Sequence, residues 1–541
     1  MKLVSVPEML AIEKEADANG LSYAQMMENA GRGLADVILE LFFDDGEGLE
    51  ALGIVGPGNN GGDTLVALEH LANNGWQTRA YLVKRKTDEY VERLEAAGGE
   101  ILFGDQDKKF DMLVTFIDTS DVLFDGVLGT GIKLPLKKDV ADLLSAVNEV
   151  LDVMDEPPYV IAVDCPSGVD CETGEAADEC IPADITVTMA AVKRGLLKLP
   201  AFEFLGNLVT VSIGLPDDLP ALEAVMTEVA DEMLVSGLLP ERSLEAHKGT
   251  FGTALIAAGS ANYTGAALLS GKAAYRVGAG LVTMAIPAML HGALAGQFPE
   301  ATWSLLPHEH GFIAREAAKK LTENFERATA LLVGPGFGME VTTQEFLKDL
   351  LTDELALKKA SGRIGFIRDQ EAAPAKEATH LPPIVIDADG LKLLARINDW
   401  NNKLPAPAVL TPHPGEMAVL TGLSTEEVQN DRMGIATKYA QEWGHVVVLK
   451  GAFTVVAAPD GTATVIPVAS PALARAGTGD VLAGLIVGLM AQGVDSYDAA
   501  IAGTWIHAQA GLVAADAFGS TASVLAGDVL EAIPDVMSDL E

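Results

Sequence analysis

The sequence predicts an α/β protein of two domains, the first built on a doubly wound parallel sheet. Three observations predict it. Short β-branched runs alternate with amphipathic stretches in both halves, the pattern of strand–helix–strand units. Glycine-rich turns follow strand after strand, with 54 glycines in the chain; parallel sheets bind ligands at such turns, beyond the carboxyl ends of their strands. The chain's 541 residues also exceed the roughly 100–250 that one core organises.

The elements follow in order. LGIVG (52–56) reads as a buried strand, GGDTLVALEHLANNG (61–75) as a helix closed by Gly75, and RAYLV (79–83) as the next strand. FDGVLGTG (124–131) and YVIAVDCPSG (159–168) are two strand-then-loop units, and NLVTVSIGLP (207–216) is a last strand leaving the domain. The glycine-poor stretch 217–243 reads as a connector with some helix. The expected organisation is therefore a first domain over 1–216, the connector 217–243, and a second domain over 244–541. The second continues through TALIAAGS (253–260), LLVGPGFG (331–338), PIVIDADG (383–390), PAVLTPHPGE (407–416), HVVVLKG (445–451) and the helix GDVLAGLIVGLMAQG (479–493). The weakly periodic segment 358–383 reads as an insertion or long surface loop.

Composition narrows the function. With 49% hydrophobic and 21% charged residues the chain is globular. Its 77 acidic against 37 basic residues give a net charge of −40, which repels nucleic acid and anionic membranes and excludes both as expected partners. An anionic small molecule then needs local positive potential from helix N-termini, backbone N–H groups, lysines or a bound cation. The three cysteines, Cys165, Cys171 and Cys180, form no CxxC, so neither a disulfide scaffold nor a zinc module is expected, and a reducing cytoplasm fits. The N-terminus lacks a signal-peptide core, and the apolar run 481–490 is too short to span a bilayer. The expectation is a cytoplasmic homo-oligomer acting on small molecules.

In the first domain, GPGNNGGD (56–63) follows a strand and opens a helix. Gly56, Gly58 and Gly61 satisfy GxGxxG, a turn whose backbone N–H groups face an anion. A dehydrogenase would need an acidic residue about 20 positions on. Here the next strand ends in Lys84, Arg85 and Lys86, so the fingerprint fails for NAD, although these residues could tolerate a 2′-phosphate. Asn59 and Asn60 add side-chain amides, a pair that taken alone also suits an ordinary turn. Asn60, Asp125 and Ser167 are hard oxygen donors at the ends of different strands and could converge on a cation. Asp164, ending VIAVD, is placed for proton transfer.

These runs, with MMENAG (26–31), DGVLGTG (125–131) and VDCPSGVD (163–170), resemble the NAD(P)H-hydrate epimerase family over about the first 215 residues. Thr64 and Cys165 depart from the family's usual Gly and Ile. The resemblance implies substrate contacts from Asn59, Asn60, Gly61, Gly62 and Asp63. It implies a covering loop of Gly129, Thr130, Gly131, Ile132, Lys133, Leu134 and Pro135, a K⁺ ion held by Asn60, Asp125 and Ser167, and a catalytic Asp164.

In the second domain, ARAGTGDVLAG (474–484) is the most informative run. Gly477 and Gly479 allow a turn whose N–H groups point at one spot, and a helix starting at or just after Asp480 adds positive potential. That is an anion hole for a transferring phosphoryl group, with Asp480 beside it to accept a hydroxyl proton. Taken alone, Asp480 suits a helix cap equally well. LKGAFT (449–454) offers Lys450 and Thr454 for a nucleotide, and His413 lies between two prolines at a strand end. There is no Walker motif, and HEH (308–310) reads as surface.

The turn AGTGD resembles the ribokinase-like superfamily. The ordered runs HKGTFG (247–252), GSANYTGA (259–266), RVGAGLV (276–282), GPGFG (334–338), DADG (387–390), TPHPGEM (411–417), LKGAFT and AGTGD resemble the NAD(P)H-hydrate dehydratase family. The expected fold is thus a Rossmann-like domain followed by a ribokinase-like one. The resemblance implies that Ala266, Gly336, His413 and Asp480 meet the hydrate. It implies that Lys450, Gly451, Ala452, Phe453, Thr454 and Gly479 meet the adenine nucleotide, and that ADP is the phosphoryl donor with Mg²⁺. The expected substrates are NADH hydrate, NADPH hydrate and ADP. The alternative is a ribokinase-like small-molecule kinase fused to a nucleotide-binding module.

Overall fold

The computed structural model describes residues 1–43, 48–352 and 381–541, so most of the segment read as an insertion lies outside the described residues. The chain divides into two compact units, Met1–Glu228 and Val229–Glu541, and their boundary falls inside the 217–243 stretch.

The first unit is organised by seven strands. They are β1 (Glu50–Val55), β2 (Gln77–Leu82), β3 (Glu100–Phe103), β4 (Val122–Gly126), β5 (Tyr159–Val163), β6 (Ile185–Met189) and β7 (Asn207–Val211). They lie side by side in the order β3-β2-β1-β4-β5-β6-β7, all parallel. Leu52, Ile54, Val122, Leu123 and Phe124 are fully buried, as strands covered on both faces must be. On one face Leu34 and Ile38 of α1 (Tyr23–Leu41) pack with Leu65, Leu68 and Leu71 of α2 (Asn59–Asn73). On the other, Leu113, Ile117, Leu143, Leu144 and Val147 form a second core. The chain runs outward from β1 in one direction, then returns to β4 and runs in the other. The turns after β1 and β4 therefore diverge at the switch point, where such sheets open a crevice.

That crevice explains the glycines. Gly56 donates its N–H to the Gly126 carbonyl at 3.0 Å, and a Cβ on Gly56 would lie 1.9 Å from the Val127 carbonyl oxygen. Only a residue without a side chain lets the two turns touch.

The second unit has β8 (Thr253–Ala257), β9 (Leu281–Pro287), β10 (Thr302–Leu306), β11 (Ala330–Val333), β12 (Ile384–Ile386), β13 (Val409–Leu410), β14 (Val446–Leu449), β15 (Val455–Ala457) and β16 (Ala463–Val465). Side by side they read β16-β15-β14-β13-β12-β11-β8-β9-β10. The pairing is parallel from β10 to β14, and β15 and β16 close that edge antiparallel. Helix α3 (Thr478–Ala491) is buried along its whole length after Asp480; being apolar all round, it can only be central. Among the described residues no helix is long and apolar enough to cross a membrane. The three cysteines are free and buried.

Candidate active sites

In the first unit, helix α2 starts directly after the turn that ends β1, with Gly58 as a cap that has no side chain to offer. The N–H groups of its first turn stay available to an anion. Arg85 holds this turn in place. Its Nη1 donates to the carbonyls of Gly56 (3.1 Å) and Gly58 (3.0 Å), and its Nη2 pairs with Asp88 at 2.7 Å. Of the three basic residues that could tolerate a 2′-phosphate, Arg85 has its guanidinium committed to the loop and Lys84 is paired with Asp139.

Asp164 follows β5 with a φ of 65°, which a residue with a side chain adopts only where its surroundings enforce it. Here they do. Its Oδ1 accepts from Thr188 Oγ1 (3.0 Å), from the Met189 N–H (2.9 Å) and from Lys193 Nζ. Lys193 is 1% exposed, and also donates to Thr188 Oγ1 and the Met189 carbonyl, each at 3.0 Å. The two-residue strand Val192–Lys193, paired with Leu3–Val4, fixes its backbone. The pair faces a cavity of about 340 Å³ that Glu13, Asn59, Asn60, Asp63 and Thr130 also line, with Met26 and Met27 as its apolar wall. Of the expected covering loop, Thr130 reaches the cavity; Gly131, Lys133 and Pro135 are exposed. A larger groove of about 830 Å³, between Asp111–Ile117 and Lys138–Leu151, contains no motif residue.

Asn60, Asp125 and Ser167 all bond to one turn. Asn60 Nδ2 donates to the carbonyls of Leu128 (3.1 Å) and Val163 (2.5 Å), leaving its Oδ1 towards Gly129, where a Cβ would lie 2.3 Å away. Ser167 Oγ accepts from the Leu128 N–H at 2.9 Å, and Asp125 Oδ2 from the Ser167 N–H at 2.7 Å. Asp125 is 1% exposed and has no cationic partner among the described residues. Burial pushes its carboxyl up, against the Ser167 hydrogen bonds that pull it down. An all-oxygen set around an uncompensated buried carboxylate fits a monovalent cation.

In the second unit α3 begins at Thr478, two residues before Asp480, because Gly477 takes the left-handed conformation with φ of 96° and caps the helix without a side chain. Asp480 is thus the third helical residue rather than the cap, and its own N–H donates to the Gly477 carbonyl at 3.1 Å. Lys450 Nζ pairs with Asp387 at 2.7 Å, and a Cβ on Gly479 would lie 3.4 Å from that Nζ. Burial, with the charges of Asp387 and Asp389 against that of Lys450, pushes the Asp480 carboxyl up to about 7. Lys450 keeps its ammonium form despite burial because Asp387 and Glu416 face it. Asp387, 1% exposed, also accepts from Thr411 Oγ1 at 2.7 Å.

His413 caps helix Pro414–Thr421: its Nδ1 accepts from the N–H groups of Gly415 (3.0 Å) and Glu416 (3.3 Å), which leaves Nε2 as donor. Gly336 (φ 64°) sits against Ala266, where a Cβ would come within 2.9 Å. Gly338 N–H donates to Asp389 Oδ2 at 3.0 Å, joining that loop to the Asp387 turn. The Lys450–Thr454 run closes on itself, Thr454 Oγ1 donating to the Gly451 carbonyl at 2.8 Å. Gly451 and Ala452 are exposed and Phe453 takes a φ of 52°. Buried His507 hydrogen-bonds the Thr478 backbone, and burial first among the causes drops its imidazole to about 4.

Sequence reasoning missed Lys193, Glu13, Asp387 and His507. A lone lysine within VTMAAVKRG was the available signal for the first.

A family model described as NAD(P)H-hydrate dehydratase matches residues 254–535, and one described as YjeF-related protein N-terminus matches residues 23–195. The bifunctional NAD(P)H-hydrate repair enzyme of Moorella thermoacetica is 34% identical over 549 residues, covering 100% of this chain and 97% of the relative. That of Escherichia coli K12 is 32% identical over 527 residues, covering 97% and 92%. Among solved structures, an ADP/ATP-dependent NAD(P)H-hydrate dehydratase from Bacillus subtilis, co-crystallised with ATP and Mg²⁺, is 29% identical, covering 58% of this chain and 99% of that one with a TM-score of 0.45.

Proposed function

The chain belongs to the bifunctional NAD(P)H-hydrate repair enzymes, and on that premise we propose how its residues divide the work. It is an isomerase and a lyase in one chain: it interconverts the R and S hydrates of NADH and NADPH, and dehydrates the S form in a nucleotide-dependent step. One observation carries the division. Each unit sets a carboxylate, Asp164 or Asp480, beside a helix N-terminus that no side chain caps.

In the first unit the N–H groups after Gly58, with Asn59 and Asn60, hold the nucleotide's anionic part, and Thr130 and the loop to Pro135 close over it. Asp164, fixed by Lys193, transfers a proton as the hydroxyl is lost from and returned to its carbon. K⁺ held by Asn60, Asp125 and Ser167 offsets phosphate charge when bound. Replacing K⁺ by tetramethylammonium slows epimerisation by about tenfold or more, the scale of a lost charge interaction of about 1.4 kcal/mol, and leaves dehydration unchanged. An epimerase rate indifferent to the cation would remove the ion from this site.

In the second unit Ala266, Gly336 and His413 position the hydrate, Lys450 to Thr454 and Gly479 bind the nucleotide, and Asp480 takes the hydroxyl proton. The hydroxyl oxygen attacks the terminal phosphorus of ADP, the bond from that phosphorus to the bridging oxygen breaks, and AMP leaves with the electron pair. The phosphate then leaves with the C–O electron pair as the ring nitrogen's lone pair moves in, and a ring proton is lost to restore the double bond. Mg²⁺ would arrive with the nucleotide, into the negative field of Asp387 and Asp389, and would supply charge neutralisation to the transferring phosphoryl group. The protein works in the cytoplasm as a homo-oligomer. Incubation of mixed R and S NADH hydrate with ADP or ATP tests the whole reading. Complete return of NADH absorbance is expected, with ADP the better donor. A stable phosphorylated product without NADH would make the second unit a kinase instead.

A further inference from the structure

We propose that Asp63 is a second proton-transfer group of the epimerase: it hands its proton to the departing hydroxyl, while Asp164 takes the proton of the water that enters in its place. The proposal rests on the reading of the Asp164 cavity as the epimerase site, and deepens it. Inverting the hydroxyl-bearing carbon through loss and return of water needs a donor and an acceptor at once. Asp164 is one carboxylate, and its Oδ1 is occupied by three donors.

Asp63 lies in the second turn of α2, is 6% exposed and lines the same cavity. Among the described residues its carboxyl has neither a hydrogen-bond partner nor an ion-pair partner, unlike Asp164. A buried carboxyl without a partner holds its proton, since the charged form has lost its water. Its charged neighbours reinforce this. Burial first, then Asp164 and Glu13, push it well above the usual carboxylate range, against Lys193 and Arg85. Glu13, half-buried in the same cavity, is itself pushed up by burial and by Asp164, against Lys193. One wall thus carries a carboxyl whose burial favours its protonated form and the other strand end an ion-paired carboxylate, two environments that separate the roles of two like groups.

The step balances. The C–O bond breaks, its electron pair stays on oxygen, and that oxygen takes the Asp63 proton and leaves as water. The ring nitrogen's lone pair forms a C=N bond. Water then attacks the other face, a new C–O bond forms, the C=N electrons return to nitrogen, and the extra proton passes to Asp164. Nothing is oxidised or reduced, and proton exchange with solvent, in which Asp164 releases one proton and Asp63 takes one up, resets both groups for the next turnover.

The test uses the full chain with purified R hydrate. Asp63→Asn keeps the size and a hydrogen-bond donor but has no proton to give. Its epimerisation kcat is expected to fall by about 10²-fold or more, with KM within threefold and loss of the alkaline limb of the pH–rate profile. Glu13→Gln removes a neighbouring negative charge, so the alkaline limb is expected to move to lower pH. In H₂¹⁸O the epimerised product is expected to carry the label. A kcat for Asp63→Asn equal to the parent, or a rise in KM alone, would overturn the proposal, as would an unlabelled product. Asp164→Asn separates the failures: if it loses epimerisation while Asp63→Asn does not, the cavity stands and the acid is wrong, and if neither loses it, the cavity itself is wrong. Unchanged binding of the R hydrate to Asp63→Asn, measured by calorimetry, shows that the variant is folded.

Discussion

Asp480→Asn abolishes dehydration, with kcat expected to fall by about 10³-fold, and leaves epimerisation at its parent rate. The magnitude is that of losing a positioned general base. The asymmetry follows from the fold: Asp480 belongs to α3 of the second unit, while the Asp164 cavity is built from residues of the first. The carboxyl is pushed up to about 7 by burial and by Asp387 and Asp389. A base acts in its ionised form, so the parent's dehydration rate rises with pH through about 7 and levels off above it. The measurement is NADH absorbance restored from S hydrate and ADP between pH 5.5 and 9. Equal loss of both activities in the variant would sink the assignment of Asp480 to the second unit's chemistry. A profile flat across pH 7 would remove it as the base.

Lys450 sharpens this reading. The sequence offers it, with Thr454, for a nucleotide, and its Nζ is held by Asp387 at 2.7 Å and stands 3.9 Å from Glu416. A lysine so placed is a fixed point charge beside the anion hole rather than a mobile arm.

What the sequence made legible, and what it did not, divides along physical lines. The strand-end turns were readable because each requirement is local. Gly56 must lack a Cβ where the Val127 carbonyl comes near, and Gly477 must take positive φ. A one-residue need leaves a one-letter trace. The parallel, doubly wound sheet was legible from alternating strands and helices, whereas the strand order around its 3-2-1-4 switch is a tertiary fact. Lys193 was invisible for the opposite reason. It is 29 residues from Asp164, in a run of apolar residues with no turn chemistry, and its value arises only once β5 and β6 lie side by side. Arg85 is a similar case. Its charge is legible in the sequence, but its commitment to two carbonyls of the glycine turn is a tertiary fact. Asp480 was placed beside the helix start correctly in kind, but α3 begins two residues earlier because Gly477, rather than Asp480, is the cap.

Lys193→Met is the variant expected to damage both stability and catalysis in the first unit. The pair is buried, with side chains 2% and 10% exposed. Removing one member leaves the Asp164 charge uncompensated, and such a change costs about 3–5 kcal/mol. The Thr188 and Met189 donors remain, which places the expectation at the lower end of that range. Epimerisation falls by about 10²-fold or more, because the carboxyl that exchanges the proton loses the group that orients it. The double variant Asp164→Asn with Lys193→Met separates the two effects. It no longer buries a charge, so urea unfolding of the first unit is expected to return most of the lost stability, while epimerisation stays absent. If the double variant is as unstable as the single one, the loss comes from packing around the lysine stem and not from the ion pair. If Lys193→Met keeps the parent's epimerase rate, Asp164 works without its partner, and the 65° backbone conformation with its two remaining donors is what aims the carboxylate.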